Sequence, residues 1–153
     1  MILWPVNQVL PHSGDAILID EILSFDDESL TARARIKPSG LFNQPDGSLP
    51  AWVGLEIMAQ AVAAWAGCQA RRDRTPVKLG FLVGTRRYEC SVPAFAPGLE
   101  LTIGLRCSFK DESGIGSFEC EMRDAHKIVA SARLNAYSPS NVNDFTQEAP
   151  PCT

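Results

Sequence analysis

The sequence predicts an α+β fold in which an antiparallel sheet wraps one long central helix. Three observations predict it. Ala51–Ala70 (AWVGLEIMAQAVAAWAGCQA) is apolar almost all the way round, with Glu56 and Gln60 set into it. A helix lying on a surface would show a polar face, and this stretch has none. Strands with one apolar face stand on both sides of it, and their order is hairpin, helix, four strands. A sheet curled around the helix gives every apolar face a place to go.

In the helix, twenty residues would span about 30 Å, roughly the width of a small domain. An ionised carboxylate in apolar surroundings is costly unless paired, and burial favours its neutral form. Glu56 is therefore the most informative residue in the chain. The stretch is also the only candidate membrane span, and Glu56 lies well inside it, where charge is rare in lipid. No span is expected.

The 153 residues suffice for one domain with a real core. A net charge of −4 argues against a nucleic-acid partner, which calls for a basic footprint. The opening MILWPVNQ has no basic region before a long apolar run, so no secretory signal is expected. The five cysteines (Cys68, Cys90, Cys107, Cys120, Cys152) are odd in number and scattered. They read as small buried hydrophobes of a reducing compartment, and a cytoplasmic location follows. With two histidines and no clustered ligands, no metal site is expected.

Taken in order, Val6–Leu10 reads as one helical turn and His12–Asp15 as a polar turn. Ile17–Phe25 reads as a strand. Leu30, Ala32, Ala34 and Ile36 then alternate with Thr31, Arg33, Arg35 and Lys37, the period of a half-buried strand. Pro38–Pro50, with two glycines and three prolines, is a loop that ends beside the helix and makes a natural site wall. After the helix, a strand over Lys78–Cys90 carries Gly80 and Gly84, which mark bulges or close backbone approach. A Pro-rich link follows. Leu101, Ile103, Leu105, Cys107 and Phe109 share one face, as do Gly116, Phe118, Cys120 and Met122, and then Ile128, Ala130, Ala132, Leu134 and Ala136. The domain is placed at 1–137, and 138–153 reads as a polar tail.

Four pieces of the chain carry a family resemblance. Leu10-Pro11-His12 followed by Ile17-Leu18-Ile19-Asp20 resembles an L-P-H-R-x-P-x-L-L-x-D segment. Pro50–Gln60 (PAWVGLEIMAQ) is similar to a P-G-x-L-x-x-E-x-M-A-Q helix start. Phe81-Leu82-Val83-Gly84 resembles an F-x-V-G strand, and Pro97-Gly98 a P-G-D turn. All belong to the hot-dog-fold β-hydroxyacyl-acyl-carrier-protein dehydratases of the FabA/FabZ kind. The stretch LGFLVGTRRYE, with PAWVGLEIMAQ, resembles more closely the ApeP proteins of aryl-polyene synthesis.

The resemblance implies dehydration of 3-hydroxyacyl thioesters on an acyl carrier protein to trans-2-enoyl thioesters. No cofactor is implied beyond the carrier's phosphopantetheine. It also implies a homodimer or a heterodimer with a related hot-dog subunit, with a tunnel between subunits. Elimination needs a base at C2, an acid for the C3 hydroxyl and a backbone N–H to polarise the thioester carbonyl. Glu56 matches the family's acidic residue. The family's base is a His in a G-H-F-P segment, and here that stretch is Gly40-Leu41-Phe42-Asn43-Gln44-Pro45. Without gaps Phe42 takes the His position; with one gap Asn43 does. Two replacements stand open: His12, whose family counterpart lines the acyl tunnel, or a His from a partner subunit. Gln60, Phe42, Phe81, Leu82, Val83 and Gly84 are the substrate-binding candidates.

Bland readings stand beside these. Glu56 and Gln60 make a structural pair, and His12 is a loop histidine. Arg71, Arg72, Arg86 and Arg87, with Lys78, either form a basic rim for the carrier protein or are solvated charges with local partners. Arg71 and Arg72 also suit the negative end of the helix dipole. Two rival functions share the fold: a non-catalytic acyl-binding partner subunit, and a thioesterase.

Overall fold

The structure, a computed structural model, describes residues 3–77 and 81–137, with only the backbone of residues 81–83. Two 3-10 turns, Val6–Gln8 and Gly14–Ala16, precede β1 (Glu21–Phe25) and β2 (Ser29–Arg35). The loop then leads to β3 (Leu49–Pro50) and to the helix α1 (Val53–Arg72). After it come β4 (Phe81–Cys90), β5 (Ala94–Phe95), β6 (Glu100–Lys110), β7 (Ile115–Asp124) and β8 (Lys127–Tyr137). The long strands form one antiparallel sheet in the order β1-β2-β6-β7-β8-β4, and β3 pairs with β5. The sheet curls over α1, as the strand patterns predict. The tail expected at 138–153, and with it Cys152, lies outside the described residues, as do Lys78 and Gly80.

The alternating residues fill the core. Leu30, Ala32 and Ala34 of β2, Leu101, Ile103 and Leu105 of β6, and Phe118, Cys120 and Met122 of β7 are buried against Ile57, Met58, Ala61 and Trp65 of α1. Burial pushes the Cys120 thiol up to about 12 and the Cys68 thiol up to about 11, which keeps both as inert apolar groups.

Alternation fails at two bulges. The register jumps between Cys107 and Phe109, so Phe109 leaves the core face and is exposed, while Cys107 is only half-buried. In β8 the pairing passes from Arg123↔Ile128 to Met122↔Ala130, which makes Val129 the extra residue. Val129 and Ala130 are both buried, and Ile128 is pushed outside.

The first strand is shorter than predicted, starting at Glu21 and not at Ile17. The reason lies in the helix. The Gln60 side chain accepts the Leu18 amide (2.8 Å) and donates to the Ala16 carbonyl (2.7 Å), so this backbone is bonded to a side chain before it can join a ladder. The Asp20 amide, bonded to the Arg33 carbonyl at 2.9 Å, is where sheet pairing begins.

Segment 6–18 thus lies along one stripe of α1. Arg71 Nε donates to the Gln8 carbonyl (3.0 Å), Val9 crosses at Gly67, and Gln60 holds Ala16 and Leu18. A Cβ on Gly67 would stand 2.0 Å from the Val9 carbonyl oxygen, a backbone atom that cannot swing aside. Gly67→Ala is therefore expected to destabilise the protein by about 1–3 kcal/mol, the usual size of overpacking. A lower urea midpoint at unchanged slope is the measurement that checks it.

A second stripe of the helix is only partly covered by the described residues. Leu55, Glu56, Ala59, Ala63 and Ala66 are half-buried there, with Trp52 exposed just before them. The helix is apolar all round, yet only part of its circumference is fully packed by the described residues. Among the described residues no helix is long and apolar enough to cross a membrane.

Candidate active site

Glu56 lies in the first turns of α1, on the border between the covered stripe and the open one. Its side chain is 37% exposed, so the enclosure expected from the apolar sequence is not reached within one chain. Periodicity shows that the helix is apolar, but not what covers it.

Two donors converge on one carboxylate oxygen. Gln60 Nε2, one turn along the helix, donates to Glu56 Oε1 at 3.2 Å. His12 Nε2 stands 3.6 Å from the same oxygen, within ion-pair range but longer than a hydrogen bond. Oε2 has no protein partner among the described residues. His12 reaches this place because segment 6–18 is pinned to α1 on both sides of it. Its other ring nitrogen, Nδ1, is enclosed and has no hydrogen-bond partner among the described residues.

Gln60 is fully buried, and both ends of its amide are committed, to Ala16, Leu18 and Glu56. It orients the carboxylate and offers no open face for substrate, as a substrate-binding residue would. This tether is what the sequence alone did not reveal. The signal was present: a buried amide must find partners for two donors and an acceptor, and the helix offers only Glu56.

The loop and segment 14–18 line a cleft of about 80 Å³ whose walls mix Ile17, Leu18, Phe42 and Ile57 with Asp15 and Arg35; Glu56, His12 and Gln60 are not among its lining residues. Phe42 stands edge-on to Trp52, with ring centroids 6.1 Å apart, so the residue at the family's His position sits at the start of the helix. Asn43, the one-gap alternative, is spent on the loop: its Nδ2 donates to the carbonyls of Lys37 (2.8 Å) and Gly47 (2.7 Å). The Ser48 hydroxyl and amide hold the Asp46 carboxyl of the same loop below its usual range.

The remaining candidates are more dispersed. The side chains of Phe81, Leu82 and Val83 lie outside the described residues, and Gly84 flanks a register shift in β4 with open space where a Cβ would stand. The four arginines do not form one rim. Arg72 pairs with Asp27 in the β1–β2 turn, while Arg86 and Arg87 lie on β4 at the opposite edge of the sheet. Arg71 is bonded to Gln8, and Arg87 to Glu89. Among the described residues no group of three or more His, Cys, Asp or Glu is placed to hold a metal ion.

With this geometry in hand, comparison with known proteins decides the family. A family model described as ApeP-like, ApeP dehydratase, matches residues 4–147. The chain belongs to the ApeP-like dehydratase family. This ApeP-like chain is also similar to a solved structure, the dehydratase heterocomplex ApeI:P from Xenorhabdus doucetiae. Identity there is 31%, 95% of this chain and 98% of that chain are covered, and the TM-score is 0.87. A conserved protein from Pseudomonas aeruginosa shares 14% identity over 86% of this chain and 97% of its own, with a TM-score of 0.64. A hypothetical thioesterase with coenzyme A from Streptococcus pneumoniae shares 12% over 77% and 84%, with a TM-score of 0.61. These two show the hot-dog fold alone. No curated protein matches.

Proposed function

We propose that this ApeP-like chain serves the dehydration of 3-hydroxyacyl thioesters, carried on the phosphopantetheine of an acyl carrier protein, to trans-2-enoyl thioesters. The observation that supports it most is Glu56: a carboxylate oriented by Gln60, next to His12, with Oε2 open for a substrate. Elimination asks only for proton transfer at C2 and at the C3 oxygen, and the geometry supplies a group for it. Phe42 walls the acyl path beside the helix.

The working unit in this reading is a heterodimer with a related hot-dog chain. Two features of the fold favour a partner. Among the described residues β4 is an edge strand with its outer side unpaired, a ready template for another strand. The half-covered stripe of α1, with Trp52 60% exposed, gives a second chain an apolar surface to complete. The likeness to a heterocomplex favours a related but different subunit over a second copy. Arg86, free of partners among the described residues, is a contact for the acidic carrier at that edge.

The test is to incubate the protein, alone and co-purified with a neighbouring hot-dog subunit, with a 3-hydroxyacyl carrier protein and follow the acyl mass. Loss of water in the co-purified sample is the expected result. Release of free acid would instead make the protein a thioesterase. Unchanged acyl carrier protein in both samples would overturn the dehydratase reading.

A further inference from the structure

No side-chain hydrogen bond caps the start of α1. The turn that leads into the helix is instead held through Ala51. The Ala51 amide donates to the Pro93 carbonyl (3.1 Å), and the Tyr88 hydroxyl donates to the Ala51 carbonyl (2.5 Å). The Gly54 amide shares that carbonyl at 3.1 Å, so one oxygen closes the first turn and takes the tyrosine as well. Gly54 makes this reach possible. A Cβ there would overlap the Tyr88 hydroxyl and stand 3.2 Å from the ring of Phe95. The helix thus gives up a side chain at the point where the phenol enters. Burial raises the pKa of Tyr88, which keeps the hydroxyl protonated and a donor.

Two places tie this contact to the candidate site. Glu56 follows Gly54 by two residues, and with about 3.6 residues per turn it faces nearly the opposite way. Tyr88 therefore grips the back of the turn whose front carries the carboxylate. Tyr88 itself stands on β4, opposite Ala132 of β8, and β4 is the edge strand offered to a partner. We propose that Tyr88 is a positioning residue: it fixes the start of α1 against the edge strand, and thereby where Glu56 stands relative to substrate. Its hydroxyl is bonded to backbone and takes no part in the proton transfer. This rests on the dehydratase reading, and it adds a task for the partner. A chain paired along β4 stiffens the strand that carries Tyr88, so assembly also steadies the helix start. The rate is more sensitive to this than the fold is. Misplacing a reacting group by about 1 Å can cost on the order of a hundredfold. The apolar contacts of α1 with β2, β6 and β7 keep the helix in place without the hydroxyl.

The experiment uses the co-purified complex and three variants: Tyr88→Phe, Gly54→Ala and the two together. Phenylalanine keeps the ring and its burial and removes only the hydroxyl. Tyr88→Phe is expected to lower kcat for enoyl formation about tenfold, with KM within about twofold of the parent. The melting temperature and the yield of complex are expected to stay close to those of the parent. Gly54→Ala favours the helix by propensity but displaces the hydroxyl, so kcat is expected to fall by a similar factor. The double variant is expected to fall no further than Tyr88→Phe alone, because both changes remove one contact. Amide hydrogen exchange in Tyr88→Phe is expected to quicken at residues 51–56 and not in β8. An active parent whose Tyr88→Phe form keeps full kcat overturns the assignment and leaves the dehydratase reading standing. So does a loss that tracks melting or dissociation of the complex, or two losses that add in full in the double variant. Absence of enoyl product from the parent complex overturns the dehydratase reading, and this assignment with it.

Discussion

Glu56→Gln is expected to lower enoyl formation by about two to four orders of magnitude, the usual range for losing general acid–base catalysis. The substitution keeps the shape of the side chain. Its amide oxygen still accepts from Gln60 Nε2, which stands 3.2 Å from Oε1 in the parent. The apolar contacts of the neighbouring turns do not change, so thermal stability and partner binding are expected to stay close to those of the parent. Rate and stability should therefore separate: initial rates of enoyl formation by mass fall, and the melting temperature does not. Full activity in the assembled complex would make this chain a non-catalytic acyl-binding partner.

Gln60→Leu is expected to damage both properties. The leucine fills nearly the same space but makes none of the three bonds of the amide. The Leu18 N–H and the Ala16 carbonyl, now held at 2.8 and 2.7 Å, lose their partner. Each such unmade bond costs about 1–3 kcal/mol, so a loss of about 2 kcal/mol or more is expected, visible as a drop of several degrees in the melting temperature. Glu56 loses its nearest donor at the same time. Activity should fall about tenfold or more even at temperatures where the variant remains folded. An unchanged melting temperature would show that the tether does not hold segment 6–18.

Much of the fold was legible because it depends on local periodicity. The alternation in β2, β6 and β7 and the apolar run of α1 each state which side must be dry, and the sheet around the helix follows. The exceptions are properties of pairs. Phe109 and Ile128 face outward because of register shifts against a neighbouring strand, which one strand's own sequence does not carry. Ile17–Asp20 looks like a strand and is captured by Gln60, a residue 42 positions from Leu18. The candidate site was legible only as separate residues. Glu56 and His12 were both identifiable, and the structure brings them within 3.6 Å. The exposure of Glu56 was not legible, because an all-round apolar helix looks the same whether its own sheet or another chain covers it. Nor was the separation of Arg72 from Arg86 and Arg87, since strand order places them at opposite edges.

The segment that carries His12 ties the candidate site to the core. Residues 6–18 belong to no strand of the large sheet; the Gln60 amide, the Arg71 guanidinium, the crossing at Gly67 and the burial of Val9 and Leu10 hold them. Val9 and Leu10 of this piece are buried in the core, so it cannot lift away without opening the apolar interior beneath it. The position of His12 is therefore coupled to the packing of the core itself, and a change that loosens Val9 or Leu10 is expected to move the histidine as well as to lower the melting temperature.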